Sequence, residues 1–277
     1  VNSRRTQLVQ RFIVALTQGD ANTAMGGSHS SGSKHHPSSR ALDLHAHDAV
    51  RYVGGMLAWM HQALASELEF LEAIFGENTE EGQNSRSSSG KHRKSTPIAA
   101  ADTEQSKDAA LLACCLQGLG RPLRVRIMQT LETKSSLDIL YSLTDLLSFY
   151  QETFHRITPI ENAVHSAVKG CLNECKRMFL SALNKQGQSL LQSPVTYPLD
   201  LKASVVTREC AVQVKEILRV CSTALSVVSC DAADSCHIDA VLGGIIQPLL
   251  QSCRLGGQAL QPAEMAIFML NNVSVLQ

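Results

Sequence analysis

Apolar side chains recur three and four residues apart along most of this chain. Nowhere do they alternate with polar residues for more than a few positions, so the pattern predicts helices and no sheet. Leu8, Phe12, Ile13 and Leu16 mark a first short amphipathic helix over 4–17, stopped by Gly19-Asp20. A second, much longer helix is expected to open at Asp48, whose carboxylate can accept from the free amides of the first turn, and to run to about Phe75. Its residues Val50, Val53, Leu57, Met60, Leu64, Leu68, Leu71 and Phe75 fall on one seam at 100° per residue. Tyr52, Met56, Trp59, Ala63 and Phe70 form a second stripe beside it, and Arg51, His61, Gln62, Glu69 and Glu72 take the opposite arc. An apolar arc that wide implies two neighbours. Either both are helices of this chain or one is an external partner, which makes Tyr52, Met56 and Trp59 the candidate partner-facing residues, with internal packing as the alternative.

Further helical patterns follow over 108–119, from Pro122 onward after a turn at Gly120-Arg121-Pro122, over 136–155 and over 159–184. A surface loop is expected at 187–199, which holds Gly187, Pro194 and Pro198, and then helices over 201–228, 232–253 and 262–276. Two stretches break the pattern. Gly26-Gly27-Ser28-His29-Ser30-Ser31 and Ser87-Ser88-Ser89-Gly90-Lys91-His92-Arg93-Lys94 have compositions that bury too little to offset ordering entropy. The organisation is therefore an N-terminal helix (1–20), a flexible linker (21–46), the long amphipathic helix (47–75), a disordered Ser-rich, basic insertion (76–106) and a helical bundle region (107–277). No fixed-period repeat is evident, so an elongated rod of consecutive bundles is favoured over a regular solenoid. The first residue, Val1, and the apolar ending Val273-Ser274-Val275-Leu276-Gln277 read as those of a fragment.

Composition narrows the function more than it changes the fold. With 25 basic and 25 acidic residues in 277, no global field draws the chain to nucleic acid or an anionic membrane. Aromatics at 4% suit Leu/Ala helix packing better than a β-sandwich. Nine scattered cysteines read as reduced, buried intracellular thiols, and no apolar run approaches the roughly 20 residues that cross a bilayer.

Candidate chemistry is sparse. His45-Ala46-His47-Asp48 offers metal-type donors at a spacing suited to a strand end, and reads better as a helix entry. Glu152-Thr153-Phe154-His155 matches one Glu-x-x-His step, whereas di-iron bundles need two copies and two further glutamates. Cys171 with Cys175, and Cys230 with Cys236 and His237, lack zinc-knuckle spacing. Nucleophile elbows, phosphate-binding loops and dinucleotide fingerprints are missing from the sequence. No catalytic, cofactor-binding or metal-ligating residue is assigned, and no enzyme activity is expected. The competing classes are a generic helical-repeat adaptor and, further off, an all-α metalloenzyme.

Five blocks carry a resemblance: 45–63 (His45 through Trp59 to Ala63), 121–127 (Arg121-Pro122-Leu123-Arg124-Val125-Arg126-Ile127), 140–150 (Leu140-Tyr141-Ser142 to Phe149-Tyr150), 247–253 (Gln247-Pro248-Leu249-Leu250-Gln251-Ser252-Cys253) and 263–272 (Ala263-Glu264-Met265 to Asn271-Asn272). In this order they resemble the middle region of the sixth-subunit family of the conserved oligomeric Golgi complex, whose members are much longer. The resemblance implies an all-α rod of helical bundles and a non-catalytic vesicle-tethering role in retrograde intra-Golgi transport and Golgi organisation. Its implied partners are the other subunits of the complex, in the second lobe, together with SNAREs and small GTPases. It further implies peripheral attachment to the cytosolic face of the Golgi membrane through the complex, with no cofactor and no nucleic acid.

Overall fold

The computed structural model describes residues 1–19, 40–76, 110–133, 136–158, 160–224 and 239–277. Among these the regular structure is helical, with no strand. The Ser-rich insertion apart from Gly76, and residues 21–39 of the expected linker, lie outside the described residues, whereas 40–46 of that linker are described and include a 3-10 turn at Leu42–His45.

The first of two compact units comprises Val1–Glu132 and Leu146–Cys171. Helix α1 spans Asn2–Thr17 and α2 spans Ala49–Gly76, preceded by a 3-10 turn at Leu42–His45. Asp48 caps α2 as its chemistry predicts: its Oδ1 accepts from the Arg51 amide at 3.1 Å while its carbonyl accepts from the Tyr52 amide. Residues 110–116 form α3, Gly120–Thr133 form α4, and the later turns of α5 (Leu137–Ile157) and the first turns of α6 (Ala163–Gln192) complete the unit.

Val53, Leu57, Met60, Leu64 and Leu71 of the α2 seam are buried, whereas Val50 and Leu68 are half-buried and Phe75, on the last turn, is exposed. The second stripe is covered from within the chain except at Phe70, which is exposed. Phe12 of α1 packs on Trp59 with ring centroids 5.1 Å apart. Arg4 donates from Nε and Nη2 to both oxygens of Glu67 at 2.8 and 2.7 Å, and its guanidinium lies 4.6 Å from the Phe70 ring centre. Glu67, on the continuation of the second stripe, is only 2% exposed, so this bidentate pair pins α1 to α2. At the other end the Tyr52 hydroxyl donates to Asp43 at 2.7 Å, and Leu42 sits against Gly55. Tyr52 and Met56 are thus buried inside the unit and Trp59 half-buried against α1. The partner-facing reading of Tyr52 and Met56 gives way to internal packing, because the second neighbour of the wide apolar arc is the chain's own N-terminal segment.

The second unit comprises Thr133–Asp145 and Leu172–Gln277. It holds the first turns of α5, the rest of α6, α7 (Val205–Ala224), a helix over residues 239–256 (α8) and α9 (Pro262–Val275). Within α8, Leu242–Ile246 takes π-helical hydrogen bonding before Gln247–Gly256 returns to the α form. Helix α6 runs to Gln192, so the loop expected from 187 onward begins later. Gly187 is not a helix stop: a Cβ there would stand 2.6 Å from the Gly244 carbonyl oxygen and 3.1 Å from Pro248 of α8. It marks the close crossing of two helices. At Gly256 a loop rather than a helix comes close: a Cβ there would collide with the carbonyl of Val195, the amide of which donates to Ser252 Oγ at 3.0 Å.

A buried polar knot closes this unit. Asn272 Oδ1 accepts from the Ser204 amide at 3.1 Å and from the Thr207 hydroxyl at 2.6 Å, while its Nδ2 donates to the Phe268 carbonyl at 2.7 Å. All three side chains are buried and satisfied, tying the start of α7 to the end of α9.

Candidate partner surfaces

Helix α9 begins with Pro262, whose missing amide belongs to a first turn that has no acceptor for it, and a capping box in which the Gln261 amide donates to Glu264 at 3.0 Å. Its sequence is apolar on nearly every side, a composition normally found on helices surrounded by protein. Only one face is used here. Phe268 and Asn272 are fully buried, and Tyr197 meets Phe268 edge-on at 6.4 Å. On the opposite face Ala263, Ala266, Ile267, Leu270 and Val273 recur at helical spacing and are exposed, Leu270 to 68%. A contiguous apolar ridge of this kind is unusual on a face left to water. The same unit exposes Val205 and Val212 on α7. In the first unit the end of α2 exposes Ile74 and Phe75.

The sequence pattern placed α9 correctly, but its outward ridge was missed. The available signal was that the stretch from Pro262 to Leu270 has a single charged residue, Glu264, and so lacks the polar arc a surface helix ordinarily shows.

The residues with chemical potential sit apart from these ridges. His47 Nδ1 lies 3.1 Å from the Leu44 carbonyl, and its ring centroid is 6.5 Å from that of His45, at the helix entry the sequence suggested. Cys171 and Cys175 are buried on α6; the Cys175 thiol donates to the Leu140 carbonyl and receives the Thr144 hydroxyl, both at 3.3 Å. Burial pushes its pKa up to about 11, and Cys115, Cys210 and Cys253 shift the same way for the same reason. Such thiols stay protonated and poorly reactive at neutral pH. Cys230, Cys236 and His237 lie outside the described residues, as does the basic run 91–94.

Glu152 and His155, the Glu-x-x-His step, do acquire a neighbour. They line a cavity of about 230 Å³ in the first unit together with Gln151, Glu161, His165 and Lys169. The His155 and His165 rings lie 6.1 Å apart. Asn162 caps α6 there, its Oδ1 accepting from the Val164 and His165 amides at 3.0 and 3.2 Å. Among the described residues no group of three or more metal-type ligands already converges, and no helix is long and apolar enough to cross a membrane.

Comparison with known proteins places the chain in a family. A family model described as conserved oligomeric Golgi complex subunit 6, C-terminal, matches residues 1–277, the whole chain. The chain belongs to that family. It is 30% identical over 279 residues to conserved oligomeric Golgi complex subunit 6 of Homo sapiens, covering 99% of this chain and 36% of that protein. The Arabidopsis thaliana subunit is 29% identical over 258 residues, covering 93% and 35%, and the Drosophila melanogaster subunit 26% identical over 281 residues, covering 99% and 38%. The chain thus spans little more than a third of the length of these curated relatives. No solved structure matches it.

Proposed function

We propose that this chain forms part of a non-catalytic subunit of a Golgi vesicle-tethering complex and works by holding other subunits, for retrograde intra-Golgi transport and Golgi organisation. The carrying observation is family membership over the full chain, whose relatives bear the name of a complex subunit. Two structural features support it: the exposed apolar ridge of α9, suited to a helix of another subunit, and thiols kept protonated by burial, unsuited to nucleophilic work. SNAREs and small GTPases are the further partners this reading expects, and attachment to the cytosolic face of the Golgi membrane is then peripheral and indirect.

Affinity purification of the full-length protein from its native cells, with mass spectrometry of stoichiometric partners, tests the proposal. The other subunits of the complex are expected. An Ile267→Asp/Leu270→Asp variant, changed only at exposed positions, should fold normally and recover fewer of them. Recovery of none by the wild type would defeat the proposal, while undiminished recovery by the variant would remove α9 from it.

A further inference from the structure

The geometry at the α5–α6 corner points to a binding site for a divalent transition-metal ion, zinc in the first instance, held by the imidazoles of His155 and His165 with a carboxylate drawn in from Glu152 or Glu161.

The case begins with Thr158. Its hydroxyl donates to the Phe154 carbonyl at 3.2 Å and accepts from Asn162 Nδ2 at 3.2 Å, which leaves a lone pair facing His165 Nε2 at 3.1 Å. Hydrogen-bond economy therefore places the His165 proton on Nε2 and leaves Nδ1 as a bare acceptor. That Nδ1 is buried with no hydrogen-bond partner, on a residue 7% exposed that lines the cavity. Metal-ligating imidazoles are held this way: the far N–H is fixed by a second group, and the near nitrogen offers its lone pair. Thr158 and Asn162 supply that support from the connection between the helices.

The second imidazole is His155, on the last turn of α5, with Glu152 one turn earlier on the same face and Glu161 on the connecting segment. The donors do not yet converge on one point. Glu152, His155 and Glu161 are exposed, however, so their side chains are free to take other rotamers toward His165. Glu152 must also leave a solvent-exposed contact with Arg156 at 3.3 Å, an interaction of the weak kind. Lys169 opposes a cation, but its exposed ammonium rides on a flexible four-carbon stem that can extend into water. Two nitrogen donors with one carboxylate select zinc-like ions over calcium or magnesium, which require oxygen ligands. An occupied site ties the last turn of α5 to the first turn of α6.

Isothermal titration of the whole chain with zinc chloride, with cobalt(II) absorption as a spectroscopic readout, tests this. One ion per chain is expected, with a nitrogen/oxygen ligand field free of thiolate-to-cobalt charge transfer. His155→Ala, at an exposed position, should weaken binding roughly tenfold or more, as should Thr158→Val through the loss of tautomer control. No binding by the wild type, unchanged affinity in His155→Ala, or a thiolate band would each overturn the inference.

Discussion

Alanine at Gly187 should destabilise the protein, although alanine in a helix interior ordinarily stabilises by about 1 kcal/mol relative to glycine. Gly187 lies inside α6, and the added Cβ would stand 2.6 Å from the Gly244 carbonyl oxygen and 3.1 Å from Pro248 Cγ. Carbon–oxygen contacts settle at about 3.3–3.6 Å, so α6 and α8 must part locally by roughly 0.7 Å. The obstacle is backbone, which has no rotamer to change. Overpacking of this kind costs about 1–3 kcal/mol, which offsets the propensity gain and leaves a net loss of up to about 2 kcal/mol. Gly243→Ala is the matched control, because nothing lies within 4 Å of its Cβ position and it should gain up to about 1 kcal/mol. Urea unfolding followed by circular dichroism at equal protein concentration compares the two. Equal midpoints, or a Gly187→Ala variant above wild type, would refute the close-crossing account.

Asn272→Ala removes the acceptor for the Ser204 amide and the Thr207 hydroxyl in a dry site, and unfolding should show a loss of about 2–3 kcal/mol, which Asn272→Asp does not restore because it cannot donate to the Phe268 carbonyl. Arg4→Ala strands the buried Glu67 carboxylate and should cost about 2 kcal/mol, with α1 amides exchanging faster in hydrogen-exchange measurements; an unchanged midpoint would mean that α1 is held by Phe12 packing alone. The Cys175 thiol has its pKa raised by burial from 9.0 to about 11, so the folded state holds this proton more tightly than the unfolded chain. The stability so conferred is present below about pH 9 and is lost as pH rises toward 11, by about 1.4 kcal/mol per pH unit for this group. Cys175→Ser should flatten that part of a stability–pH curve.

Helix identity was legible because periodicity and caps are local. The seam of α2 and the Asp48 cap could be read directly, and the extra residues of α1 lie within ordinary end fraying. Gly187 misled because glycine marks both chain breaks and close helix crossings, and only the facing helix tells them apart. Near Pro122 the helix starts two residues early, at Gly120, where the expected turn residue instead leaves room for the Ala163 carbonyl of α6, a long-range contact with no local trace. Tyr52 and Met56 are apolar-stripe residues whose neighbour cannot be named from their own helix. The polar groups that matter to the interior, Glu67, Thr207 and Asn272, were invisible for the same reason: their partners lie 63 to 68 residues away.

The division of α5 between the two units sets an order on synthesis. Residues Thr133–Asp145 leave the ribosome before Leu146–Cys171 of the first unit, yet Leu172–Gln277 of their own unit follow only after that segment. Until then Leu140, Leu143 and Thr144, all buried in the finished fold, have nothing of their own unit to pack against. A nascent chain paused soon after Cys171 therefore carries Val1–Glu132 and Leu146–Cys171 together with a short apolar segment still open, and transiently exposed apolar surface of that kind is prone to misassociate.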